Sequence, residues 1–219
     1  NSTISNRVDY TGVEHFDVKT GSGDDILNTG DGNDKVASGA GIDHIITRKG
    51  VDTIDGGAGD DRWEADKSFA TAAQAITLNL TLTGVQSTYL GTGTVRGIEM
   101  LSLATGAGND VITTLSAGFD DALNTGLGND KVTVGGGRDG VAMGGGTDTL
   151  VVDWSNVTTY GINSGFGGSL DAGHDSAFWR RDNSTISNRV DYTGVEHFDV
   201  KTGSGDDILN TGNGNDKVA

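Results

Sequence analysis

From Thr20 the chain repeats itself every nine residues, and no other feature restricts its fold so tightly. In TGSGDDILN, TGDGNDKVA, SGAGIDHII, TRKGVDTID and GGAGDDRWE, which end at Glu64, the sixth residue is always Asp and the eighth always large and apolar. The sixth positions are Asp25, Asp34, Asp43, Asp52 and Asp61; the eighth are Leu27, Val36, Ile45, Ile54 and Trp63. The pattern returns as TGAGNDVIT from Thr105, a degenerate SAGFDDALN from Ser116, then TGLGNDKVT, VGGGRDGVA and MGGGTDTLV, ending at Val151. Its sixth positions are Asp110, Asp121, Asp130, Asp139 and Asp148. A glycine-rich turn followed by a short strand, repeated in this way, winds the chain into a flattened spiral with two nonapeptides per coil. The eighth residues then point inwards and stack as a thin apolar core.

A longer repeat contains the short one. Residues Asn1 to Ala37 recur as Asn183 to Ala219 at an offset of 182, with Asp31 against Asn213 as the only difference. Residues 1–182 are therefore read as one complete tandem unit, and 183–219 as the start of the next, which adds Asp207 and Asp216. Within the unit, 20–64 and 105–151 are the two nonapeptide blocks, while 65–104 and 152–182 are connecting coils. The run Gly12-Val13-Glu14-His15-Phe16-Asp17-Val18 is echoed by Gly97-Ile98-Glu99-Met100-Leu101-Ser102-Leu103, so each block is entered through a similar apolar strand. A chain starting at Asn1 without Met is read as a window of something longer.

Composition narrows the function classes. The 219 residues carry 15 Lys and Arg against 31 Asp and Glu, a net charge of −16, which argues against a nucleic-acid partner. Almost all the acids are Asp, a residue of turns and of oxygen cages for hard cations. There are 37 Gly, no Pro and no Cys, so neither disulfides nor thiolate metal sites hold the fold. The abundance of Val, Ile and Thr separates the chain from a disordered glycine linker. Apolar stretches of a few residues give no membrane insertion and no signal-peptide core.

The nonapeptide resembles the RTX (repeats-in-toxin) glycine-rich repeat, a calcium-binding β-helix motif. The resemblance implies an all-β fold, a right-handed parallel β-roll or β-helix solenoid with calcium in its turns. Glycine at positions two and four permits close turns whose carbonyl oxygens converge, and Asp at position six adds a carboxylate; such oxygen sets suit Ca²⁺. The expected metal ligands are Asp25, Asp34, Asp43, Asp52, Asp61, Asp110, Asp121, Asp130, Asp139, Asp148, Asp207 and Asp216. Carbonyls of the adjacent turns join them, for example those of Gly21, Gly23, Gly30, Gly32, Gly39, Gly41, Gly57, Gly59, Gly106, Gly108, Gly126 and Gly128. With turn i stacked on turn i+2, the expected pairs are Asp25 with Asp43, Asp43 with Asp61, Asp34 with Asp52, Asp110 with Asp130, Asp130 with Asp148, and Asp121 with Asp139. That gives about six Ca²⁺ per unit. Arg48 replaces the position-two glycine of its repeat, and the Ser116 repeat has Ala117 and Phe119 in place of glycines after the insertion Thr114-Leu115, so these sites are expected to be weak. Because unneutralised stacked Asp side chains repel, metal binding and folding should be one event.

Between the blocks, AITLNLTLT (75–83) reads as a half-buried strand with Ile76, Leu78, Leu80 and Leu82 on one face. The run 66–75 reads as a short helix or a loop, and Trp154, Phe178 and Trp179 as a packed plug. Trp179-Arg180-Arg181-Asp182 is either a solvated junction or a contact at the seam between units. None of His15, His44, His174 and His197 lies in a metalloprotease motif, and no nucleophile elbow or P-loop occurs, so no catalytic residue and no enzyme activity is expected. The leading reading is a calcium-stabilised structural repeat of a long secreted or cell-surface, bacterial protein: a filament, adhesin stalk or surface layer. Each unit would extend it by roughly 50 Å, at two nonapeptides per coil and ~4.8 Å between stacked strands. Its partners would be neighbouring copies of the unit, joined covalently and stacked end to end or laterally, with attachment to a cell surface through other parts. The alternative is the calcium-dependent folding and secretion segment of a type I-secreted enzyme or toxin.

Overall fold

Three residues per repeat are available for a strand, so the strands are short and their pairing must come from stacking coils rather than from hairpins. The computed structural model describes residues 11–81, 87–114, 118–155, 162–163, 176–182, 185–203, 211 and 215–219, with side chains described outside 162–163, 176–182 and 185–188. The first block supplies β1 (Asp17–Lys19), β2 (Ile26–Gly30), β3 (Lys35–Ala40), β4 (His44–Thr47), β5 (Thr53–Ala58) and β6 (Arg62–Asp66). The first connecting segment supplies β7 (Thr77–Asn79), β8 (Ser87–Tyr89), β9 (Gly93–Arg96) and β10 (Met100–Ala104). The second block forms β11 (Val111–Thr113), β12 (Ala122–Asn124), β13 (Lys131–Val134), β14 (Arg138–Ala142) and β15 (Thr149–Asp153). Then come β16 (Ile162–Asn163), β17 (Ser176–Asp182), β18 (Thr185–Thr193), β19 (His197–Lys201) and β20 (Lys217–Val218). Among the described residues there is no helix.

Successive strands of a block alternate between two sheets. A nine-stranded sheet, in the order β16-β17-β18-β14-β12-β10-β6-β4-β2, runs past both blocks. Opposite it, a five-stranded sheet β1-β3-β5-β9-β8 serves the first block, and a six-stranded sheet β20-β19-β15-β13-β11-β7 serves the second. Among the described residues all pairings within the blocks are parallel, and only β8 with β9, β16 with β17 and β17 with β18 are antiparallel. The register places residues of equal rank side by side: Leu27 beside Ile45 beside Trp63, Val36 beside Ile54, and Val132 beside Leu150. The step is eighteen residues, as two nonapeptides per coil require. Around the insertion at Thr114-Leu115 it becomes twenty, with Val111 beside Lys131 and Ser102 beside Ala122, so the extra residues leave the ladder in register.

Within the blocks the eighth-position residues form the inward row of the core, which the strands outside the blocks extend with residues such as Leu101, Leu103 and Val190. Val36, Ile45, Ile54, Trp63, Ile112, Leu123, Val132, Val141 and Leu150 are all buried, and Leu27 packs partly buried against them. Each contributes about 1.5–3 kcal/mol of transfer free energy. Ile76, Leu78 and Leu80 are buried while Thr77 and Asn79 are exposed, so the expected alternating strand forms, shorter than its sequence pattern; Leu82 lies outside the described residues. The 66–75 run takes two turns rather than a helix, with Ala70 N–H bonded to Lys67 O and Gln74 N–H to Thr71 O. Trp154 is buried as expected; Phe178, Trp179, Arg180 and Arg181 have side chains outside the described residues.

Candidate metal centre

Turn geometry begins with glycine. A Cβ at Gly59 (φ +137°) would lie 1.7 Å from the carbonyl oxygen of Gly41, and one at Gly57 (φ +100°) 2.0 Å from that of Gly39. No side chain fits there, and the positive φ is one that L-residues avoid. The close approach stacks each turn on the one eighteen residues before it, with carbonyls of positions two and four facing the next coil. Position one adds a second thread. Thr20 Oγ1 donates to Ser38 O, Ser38 Oγ to Gly56 O, Thr105 Oγ1 to Thr125 O and Thr125 Oγ1 to Met143 O.

On this stacked frame the sixth-position carboxylates form ladders. Asp25 N–H donates to Asp43 Oδ1, Asp43 N–H to Asp61 Oδ1, and Asp34 N–H to Asp52 Oδ1, each at 2.9 Å. In the second block Asp110 N–H donates to Asp130 Oδ1 and Asp130 N–H to Asp148 Oδ1 at 2.8 Å, and Asp121 N–H to Asp139 Oδ1 at 3.1 Å. Every expected pair within the blocks is thus in contact. Asp216 accepts from Phe198 N–H at 3.0 Å, and Asp207 lies outside the described residues.

In the stacked turns one carboxylate oxygen serves the backbone; the second is bonded to Thr105 Oγ1 at Asp110 and to a lysine at Asp52, and is left over at six positions. Asp34, Asp43, Asp61, Asp130, Asp139 and Asp148 each keep an Oδ2 that is buried and has no hydrogen-bond partner. Buried acceptors of this kind are costly. Burial, reinforced by Asp43 and Glu99, pushes Asp61 up to about 6; burial, reinforced by Asp130 and Glu196, pushes Asp148 up to about 6. Asp121 rises to about 6 through burial, and Asp139 to about 8 through burial and then the Asp121 and Asp120 charges. Burial also raises Asp110 and Glu99. A hard dication beside these oxygens would remove the penalty. Among the described residues no three carboxylate or imidazole side chains converge, so a cation held here takes most of its ligands from turn carbonyls. The residues present fit Ca²⁺ in donor type: carboxylate and amide oxygens only.

Three participants escaped the nonapeptide pattern. Glu99 Oε2 accepts Asp61 N–H, Glu196 Oε2 accepts Asp148 N–H, and the Tyr89 hydroxyl accepts Asp52 N–H. The two glutamates occupy the same place in GIE and GVE, so the echo between 97–103 and 12–18 marks a ladder end as well as a strand. Tyr89 left no comparable signal.

One turn differs from the others. Asp52 Oδ2 is bonded at 2.7 Å to Lys67 Nζ, which also donates to Arg48 O at 2.6 Å, and both charged side chains are fully buried. The ammonium lies 5.9 Å from the centre of the Trp63 ring. Burial holds the Lys67 pKa below the ordinary lysine value, with Asp52 pulling the other way. At the Arg48 turn the position-six carboxylate is thus already paired with an ammonium of the chain.

The family model of the RTX calcium-binding nonapeptide repeat matches four segments, residues 17–45, 38–62, 115–150 and 200–218. No curated protein and no solved structure matches the chain. The matched segments hold most of the carboxylate ladders, and this chain is accordingly one that carries RTX calcium-binding nonapeptide repeats.

Proposed function

We propose that the chain is a calcium-stabilised structural repeat of a long secreted or cell-surface bacterial protein, wound as a right-handed solenoid and extended into a filament, stalk or surface layer. The observation that carries the calcium half is the set of six buried, partnerless carboxylate oxygens on stacked turns. For the serial half, support comes from the seam. Strand β19, in the second copy of the repeat, pairs with β15 of the first, and β20 adds to β19, so the next unit enlarges a sheet already begun. A type I-secreted folding segment would share the turns but has no need of a long duplicated unit.

Chelation tests the calcium half. The melting temperature followed by far-ultraviolet circular dichroism should fall in excess chelator and recover with added Ca²⁺, and a melting temperature indifferent to chelator would refute the reading. The filament half is tested by negative-stain images of the protein from its source, where only compact particles would count against it.

A further inference from the structure

Each block ends in the same three-residue device. Strand β6 runs out in Asp66-Lys67-Ser68, and β15 in Asp153-Trp154-Ser155, the aspartate being the last strand residue in each. In both, the serine N–H bonds to the aspartate Oδ1, at 3.0 Å for Ser68 and 3.2 Å for Ser155. In both, the middle residue gives its N–H to the last residue of a neighbouring strand, Lys67 to Ala104 O and Trp154 to Lys201 O. The middle side chain then turns back under a stacked turn and donates to its position-two carbonyl: Lys67 Nζ to Arg48 O, Trp154 Nε1 to Gly135 O, each at 2.6 Å.

The difference lies in what reaches the carboxylate. Lys67 continues to Asp52 Oδ2, whereas the indole brings no charge and Asp139 Oδ2 keeps no partner. At the Asp52 turn one ammonium therefore engages both kinds of oxygen that the other turns offer a metal, a position-six carboxylate and a turn carbonyl. A dication placed within a few ångströms of this buried ammonium would meet strong repulsion, since little solvent screens the pair. The position-two glycine is also gone, replaced by Arg48.

We propose that Lys67 is a tethered replacement for a metal ion, so that the Asp52 turn is closed by the chain itself and takes no calcium. This rests on the calcium reading of the other turns. The test counts ions bound to the full chain by equilibrium dialysis against Ca²⁺, for the wild type, Asp52→Asn and Asp43→Asn. Asn retains the oxygen that accepts Asp34 N–H, so Asp52→Asn should bind as many ions as the wild type, while Asp43→Asn should bind fewer. An Asp52→Asn chain that loses an ion overturns the replacement alone. A wild type that binds no calcium overturns the calcium reading and the replacement with it. If Asp52→Asn fails to fold, the double variant with Lys67→Met, which removes both buried charges, is counted instead: an unchanged number supports the proposal and a loss overturns it.

Discussion

Lys67 and Trp154 occupy the same rank in the two blocks, yet they leave opposite electrostatic states behind them. Under Lys67 the carboxylate of Asp52 is paired; under Trp154 that of Asp139 is buried with a spare oxygen and pushed up to about 8. Both plugs fill space and satisfy a carbonyl. Only one also supplies charge, so packing and charge neutralisation at a turn are separable tasks that the calcium-binding turns combine in one ion.

The contrast can be broken most forcefully at the paired turn. Lys67→Met leaves Asp52 buried without its cation and should cost about 3–5 kcal/mol in chelator. Trp154→Phe loses a single hydrogen bond and should cost about 1–3 kcal/mol. Equal losses in denaturant titrations would erase the distinction. Next in size, Gly146→Ala would place a Cβ 1.6 Å from Gly128 O at φ +149°, for a loss of about 3 kcal/mol confined to the second block. Single-tryptophan variants retaining Trp63 or Trp154 would show whether the first block's melting stays unchanged.

The finest probe is pH. A carboxyl raised in the folded state binds its proton more tightly there than in the unfolded chain, so its contribution is complete below the ordinary carboxylate range and is lost as pH rises through the raised value. In chelator the protein should therefore weaken from about pH 4 to 6, through Asp61, Asp121 and Asp148, and again up to about 8, through Asp139. Asp139→Asn should flatten the upper part of that decline and be more stable than the wild type at pH 8 by roughly 2 kcal/mol. A melting temperature that falls as steeply between pH 6 and 8 in Asp139→Asn would contradict this. Asp52→Asn should show no such gain, because it strands Lys67.

The contrast also shows which features a sequence exposes. The pairs Asp25–Asp43 through Asp130–Asp148 were legible because position in a strict repeat is position in space: equal rank means equal place, one coil along. The inward set at position eight followed for the same reason. Lys67 was not legible, since nothing within nine residues marks it; its partner, Asp52, is fifteen residues away and reached only because the chain leaves the spiral there. Tyr89 lies thirty-seven residues from its partner, in the connecting segment, where no rank in a nonapeptide marks it. The glutamates fall between these cases. Their GxE context was visible as a repeated strand entry, but its role appears only when Asp61 and Asp148 are seen to need an acceptor beyond the end of the pattern.

Glu196 has one more implication. It completes the ladder of Asp148, yet it is the copy of Glu14 one offset later, so the residue that finishes one unit is encoded in the unit after it. In the proposed array, gain or loss of whole units by recombination would keep every such closure, because each unit would bring the same glutamate for its predecessor. Length could then vary without any change in fold, while a breakpoint between Asp148 and Glu196 that is not restored in register would leave the Asp148 N–H without its acceptor.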